Sequence, residues 1–159
     1  MEVVRVPVLN DNYVWLLHSA GVTAVVDPAV QPPVEAVLKA RGWSLDLILN
    51  THHHGDHVGA NLRLKAAHGC TIVGPGPDRD RIPGIDVEVD EGDVVTVGEA
   101  TARVLFVPGH TRRTHSMHAK RLGCPAHWGR GALIPAPISM RRSTLTLKNL
   151  NCWCAALSC

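Results

Sequence analysis

Val4, Val6 and Val8 alternate with Arg5 and Pro7, the period-two pattern of a strand that buries one face. Leu9-Asn10-Asp11-Asn12 supplies turn chemistry, and the apolar run Tyr13-Val14-Trp15-Leu16-Leu17 follows it. Ser19-Ala20-Gly21 turns the chain again into Thr23-Ala24-Val25-Val26-Asp27, so the opening predicts a meander. The period then changes. Pro32 and Pro33 suit a first helical turn, Val34, Val37, Leu38 and Arg41 recur at helical spacing, and Gly42 stands where the helix should stop. Residues 45–50 predict a strand, residues 61–68 a helix closed by Gly69, and residues 71–73 a short strand. Residues 74–84 are rich in Pro, Gly and Asp and predict a loop. Residues 86–90, 94–97 and 102–107 complete the series as strands. Strands that come singly or as hairpins, with helices between them, predict a mixed α/β class.

After Thr111 the pattern fails. Residues 112–159 have no sustained helical or strand period, and Pro125, Pro135 and Pro137 interrupt whatever starts, so the expectation there is an irregular or disordered tail. Composition changes at the same place. The net charge of +2 conceals a division: residues 1–111 carry 8 basic against all 14 acidic residues, a net of −6, while residues 112–159 carry 8 basic and no acidic ones, a net of +8. Cysteine divides likewise, with Cys70 alone in the first part and Cys124, Cys152, Cys154 and Cys159 in the tail. That distribution is not a disulfide framework, and Cys152-x-Cys154 lacks the spacing of a zinc knuckle. Cys70 itself reads as a buried apolar residue beside a strand, and Tyr13 and Trp15 as core or cavity wall. The 159 residues, 45% of them hydrophobic, suffice for one domain with a core. No apolar run is long enough to span a membrane and the opening residues do not resemble a signal peptide, which predicts a cytoplasmic protein with no membrane partner.

The chemistry lies in Thr51-His52-His53-His54-Gly55-Asp56-His57. Imidazole nitrogens and a carboxylate suit zinc or iron, and a loop at a strand end lets them converge on one cavity. His52 and His54, being alternate residues, can point to one metal, and Asp56 and His57 turn towards a second position. Gly55 and Gly59 permit the tight path such a loop needs. His53 reads as a bystander or supporting group. Pro108-Gly109-His110-Thr111 repeats the arrangement at the end of the next strong strand, which makes His110 a third ligand for the first metal.

The histidine run followed by Gly109-His110-Thr111 resembles the signature of the metallo-β-lactamase superfamily. Within it, the segments Val8-Leu9-Asn10-Asp11-Asn12-Tyr13-Val14-Trp15-Leu16, Val25-Val26-Asp27-Pro28-Ala29 and Ile48-Leu49-Asn50-Thr51 are similar to glyoxalase II, the hydroxyacylglutathione hydrolases. The resemblance covers residues 1–111 and implies the N-terminal part of an αβ/βα sandwich with a two-zinc site at one edge. It implies hydrolysis of a small glutathione thioester, S-D-lactoylglutathione, to D-lactate and glutathione, as in methylglyoxal detoxification. By position, His52, His54 and His110 would bind the first metal, and Asp56 and His57 the second. Asp56 would also be catalytic, orienting the attacking water. A two-cation site makes water acidic enough to attack at neutral pH, and a thiolate leaves without strong acid assistance.

The family pattern continues with a bridging aspartate and a later histidine, whereas residues 112–159 contain no Asp, and His115, His118 and His127 stand in other contexts. The family's glutathione-binding tyrosines and carboxy-terminal helical domain have no counterpart either. A reading frame shifted just after Thr111 would account for this and for the acid-free tail, making residues 112–159 an out-of-frame segment with no domain of its own. Sequencing the gene tests that. Three histidines suffice for one zinc with open positions, and iron or manganese also suits such donors. Asp56 and His57 alone are too few to hold a second. The expectation is at most one tightly bound metal, impaired thioester hydrolysis and low solubility from an uncovered sandwich face. The alternatives are an iron-dependent persulfide dioxygenase of the same fold and a non-catalytic metal-binding remnant. A nucleic-acid binder using the +8 tail has no recognisable binding motif, so no nucleic-acid partner is expected.

Overall fold

The structure, a computed structural model, describes residues 1–107 and the backbone of residues 115–119. Strands β1 (Glu2–Val8), β2 (Asn12–Ser19) and β3 (Val22–Val26) form the expected antiparallel meander. Helix α1 (Gln31–Arg41) carries the chain over to β4 (Leu47–Leu49), which joins β3 in parallel. The short α2 (Gly55–Val58) and α3 (Asn61–His68) lead to β5 (Thr71–Pro75), a 3₁₀ turn spans Gly76–Arg81, and β6 (Val87–Val89) ends a six-stranded sheet in the order β1-β2-β3-β4-β5-β6. A second, antiparallel sheet contains β7 (Val94–Val97), β8 (Ala100–Phe106) and β9 (His115–Ala119).

Both faces of the first sheet are buried, which is why its parallel strands read as continuous apolar runs. Val14, Leu16, Val25, Ile48 and Ile72 face one way and pack with Val34 and Leu38 of α1 and Leu64 of α3. Their neighbours Leu17, Val26, Leu49 and Val73 face the other way and pack with Val95, Val97 and Val104 of the second sheet. The described residues thus stack helices, sheet and sheet. Gly42 and Gly69 end their helices in left-handed conformations, at φ 66° and 67°, as the sequence predicts. Cys70 is buried and free, and burial pushes its thiol pKa up. No helix among the described residues is long and apolar enough to cross a membrane.

Four elements differ from expectation. The chain after β5 forms a 3₁₀ turn where a loop was expected, and residues 55–58 form a helical turn inside the histidine segment. Tyr13, expected as core or cavity wall, is 37% exposed and so is not core, and its ring lies under the Arg5 guanidinium at 4.9 Å. Residues 115–119 form a strand, paired from Ala102↔Ala119 to Phe106↔His115, within the segment expected to be irregular. Sheet pairing is made by backbone groups that must find partners, so a strand edge can recruit a segment with no hydrophobic alternation. The remainder of the expected tail, with Cys124, Cys152, Cys154 and Cys159, lies outside the described residues.

Gly55 and Gly59 differ in their surroundings. A Cβ on Gly59 would lie 2.6 Å from the Ala29 carbonyl oxygen and 2.8 Å from that of Gly55, whereas one on Gly55 would meet nothing within 4 Å. Gly59→Ala therefore forces rigid backbone apart and should cost about 1–3 kcal/mol, while Gly55→Ala should leave stability within about 0.5 kcal/mol. Urea unfolding of the two variants distinguishes them; equal midpoints would mean that α2 can shift freely away from Ala29.

Candidate metal centre

The carboxyl ends of parallel strands gather loops at one sheet edge, where open α/β sheets carry their ligands. Here Asp27 follows β3, the histidine segment follows β4, and the 3₁₀ turn follows β5. Asn12, at the start of the antiparallel β2, comes to the same edge and donates from Nδ2 to Oδ2 of Asp56 at 3.0 Å and to its carbonyl at 3.2 Å.

His52 and His54 converge. His52 Nε2 lies 3.2 Å from His54 Nδ1, close to the roughly 3.3 Å expected of two nitrogens sharing a tetrahedral zinc at its usual bond length. The buried Thr51 sets which nitrogen of His52 is available. Its Oγ1 donates to Asp27 Oδ2 at 2.7 Å and is 2.9 Å from His52 Nδ1. A hydroxyl with its proton committed to Asp27 accepts from Nδ1–H, which leaves the Nε2 lone pair towards His54. This relay does for His52 what an outer carboxylate does for many metal-bound histidines.

Asp56 and His57 project from the helical turn α2, whose first bonds run from His57 N and Val58 N to the His54 carbonyl at 2.9 and 3.1 Å. His57 Nε2 lies 3.5 Å from Asp56 Oδ2, and His57 Nδ1 lies 3.1 Å from Asp27 Oδ2, without the alignment of a hydrogen bond. Burial opposes a charged imidazolium at His57, but contact with Asp27 and the charges of Asp27 and Asp56 outweigh it, so its pKa is raised above the ordinary histidine value. The turn is anchored from below by Asn50, which donates to the His57 carbonyl at 3.2 Å and pairs amide to amide with Asn61. Both asparagines are fully buried.

Asp27, Asn12, Asn50 and Asn61 escaped the sequence reading as site residues. One oxygen of Asp27 and one ring nitrogen each of His52 and His57 lie within 4.8 Å of one another, which makes Asp27 a formal candidate ligand. Its oxygens are, however, already occupied: Oδ1 accepts from Thr51 N at 2.8 Å, and Oδ2 from Thr51 Oγ1, with His57 beside it. Asp27 is better read as the group that orients ligands. The available signal was a carboxylate ending one strand beside a strand that ends in histidines. His53 directs both ring nitrogens to Asp78 and Arg81 of the 3₁₀ turn, and His110 lies outside the described residues. The donor set that is described, with two imidazole nitrogens at ligand spacing and a histidine–carboxylate pair beside them, fits a divalent cation.

Residues 8–119 match the family model described as Metallo-beta-lactamase superfamily. The chain is 61% identical over 113 residues to a hydroxyacylglutathione hydrolase of Methylococcus capsulatus and 48% identical over 113 residues to one of Rhodospirillum rubrum. Each match takes in 70% of this chain and 44% of the relative, so the chain spans less than half the length of these curated relatives. Among solved structures it resembles ETHE1 from Myxococcus xanthus, with TM-score 0.65 and 26% identity over 75% of this chain and 54% of that one. It resembles the BLEG-1 B3 metallo-beta-lactamase in fold, with TM-score 0.65 and 19% identity over 74% of this chain and 66% of that one.

Proposed function

The chain belongs to the metallo-beta-lactamase superfamily, and on that premise we propose that it carries the first metal position of a thioester hydrolase acting on a glutathione thioester such as S-D-lactoylglutathione. The observation that carries the reading is the 3.2 Å convergence of His52 Nε2 and His54 Nδ1 at the carboxyl edge of the sheet. The substrate class comes from the relatives named hydroxyacylglutathione hydrolase. In this proposal His52, His54 and His110 hold one zinc, while Asp56 and His57 offer a second position that needs further ligands. The metal supplies Lewis acidity and an acidified water. Thr51 and Asp27 hold the His52 tautomer, and Asp27 and Asn50 hold the His57 ring and backbone. Asn12 holds the Asp56 carboxylate, which orients the water. In this reading residues 1–111 are the domain's own sequence, and residues 112–159 are a basic segment of out-of-frame origin, of which residues 115–119 pair with β8.

Elemental analysis and a thioester assay on one preparation test the proposal. The expected result is one zinc per chain and slow hydrolysis of S-D-lactoylglutathione that disappears in the His52→Ala variant. A chain that retains no divalent metal sinks the metal reading. Two metals with fast turnover would mean that residues beyond 107 complete the second position, against the one-metal expectation. One iron with oxygen uptake, and no thioester hydrolysis, would favour a persulfide dioxygenase instead.

A further inference from the structure

His53 is the one member of the histidine run that the metal reading does not use, and Asp78 is a buried carboxylate that it also leaves idle. The two meet: His53 Nδ1 lies 2.8 Å from Asp78 Oδ2. Arg81 Nη1 lies 3.1 Å from His53 Nε2, and Arg81 Nη2 donates to Asp78 Oδ1. A guanidinium has only donors, so Nε2 accepts from Arg81 and Nδ1 carries the ring proton towards Asp78. Both ring nitrogens of His53 are thereby engaged away from any metal.

Burial makes this triangle more than a surface contact. The Asp78 side chain is 0% exposed, and a carboxylate removed from water costs several kcal/mol unless it is paired and hydrogen-bonded. Its two oxygens meet Arg81 from its own 3₁₀ turn and His53 from the segment after the neighbouring strand β4. Satisfying the charge therefore requires the two loops to stay in register. The His53 ring also lies edge-on to the His54 ring, with centroids 5.0 Å apart, and the His54 ring lies 4.7 Å from that of His52. A central ring held at both nitrogens therefore braces His54 and, through it, the meeting of the His52 and His54 nitrogens.

We propose that His53, Asp78 and Arg81 form a latch between the 3₁₀ turn and the histidine segment, with His53 acting as a positioning residue for the ligand nitrogens of His52 and His54. The inference rests on the reading that those two nitrogens hold a cation, but the latch itself exists in the metal-free chain and is testable there. It gives the 3₁₀ turn, which contributes no ligand, a part in the site.

Backbone amide exchange in the metal-free chain is the first readout. The amides of His57 and Val58, both bonded to the His54 carbonyl, should exchange about tenfold faster in His53→Leu and in Arg81→Gln, while amides of β3 and β4 keep their rates. His53→Asn, which can still donate to Asp78, should recover most of the protection. Arg81 is half exposed, with 51% side-chain exposure, so its variant tests the latch without opening the core should His53→Leu fail to fold. Unchanged exchange in Arg81→Gln, exchange in His53→Asn as fast as in His53→Leu, or faster exchange throughout the sheet would overturn the latch. The second readout is a cobalt(II) titration. Loss of an outer partner should weaken binding about 10–100-fold and alter the visible spectrum, with His53→Asn closest to the parent chain. Faster loop exchange with unaltered cobalt affinity would overturn the positioning role. A parent chain that takes up no cobalt would instead defeat the metal reading, leaving the exchange rates to decide the latch.

Discussion

A His52→Ala chain is expected to bind zinc or cobalt at least about a thousandfold more weakly than the parent, a loss of roughly 4 kcal/mol. His52 is 3% exposed and is held through Thr51 to Asp27, so its Nε2 reaches a cation without first having to be ordered. Alanine removes both the donor and the end of that relay. His54→Ala should lose comparable affinity at a smaller cost in metal-free stability, because His54 is only partly buried. His68→Ala is the appropriate control, since the His68 ring pairs with Glu35 of α1 at 2.9 Å and should leave affinity unchanged. Titration with cobalt followed by its visible absorption measures all three. If His52→Ala and His68→Ala bind equally well, the cation sits elsewhere and the convergence of His52 and His54 is only a contact between rings.

Asp27→Ala should lower the stability of the metal-free chain by about 3–5 kcal/mol. The Asp27 carboxylate accepts from Thr51 N and Thr51 Oγ1 in a buried setting, and each donor left without a partner costs about 1–3 kcal/mol. It also faces the His57 ring at 3.1 Å. Asp27 stands at φ 49°, a left-handed conformation that Asp and Asn tolerate better than alanine. Asp27→Asn therefore isolates the chemistry from the backbone. Its single oxygen can accept from only part of this set, and its amide must point donors at Thr51 or at His57. An intermediate loss is expected, with alanine the worse of the two in urea unfolding. Asparagine as stable as the parent would show that the buried carboxylate contributes no net stability, and that its role is confined to orienting His52 and His57.

These two residues mark the boundary between what the chain's order of residues reveals and what it conceals. The histidine run was legible because four potential ligands within six residues, directly after an apolar strand, have few structural explanations. The strands were legible because both sheet faces bury side chains with period two, as Leu16 against Leu17 and Ile48 against Leu49 illustrate. Helix ends at Gly42 and Gly69 followed from the positive φ that glycine adopts freely. Gly55 and Gly59 looked alike, since no local pattern states which of them lies against another segment's carbonyl.

The sequence by itself determined the α/β class, most strand positions in residues 1–107, and which residues are candidate metal ligands. Tertiary structure alone decided the partners of those candidates. Asp27 lies 24 residues from Thr51, Asp78 lies 25 from His53, and Asn12 lies 44 from Asp56. Each stands unremarkably in a loop or at a strand end. They meet because β2 to β5 align in one sheet and deliver their connecting segments to a common edge. Tertiary structure likewise decided β9, whose residues have little strand pattern but satisfy the open edge of β8. Side-chain periodicity and ligand chemistry are local and survive in one dimension. Hydrogen bonds that orient a buried ring, and backbone pairing that closes a sheet edge, depend on which distant segments the packed core brings together.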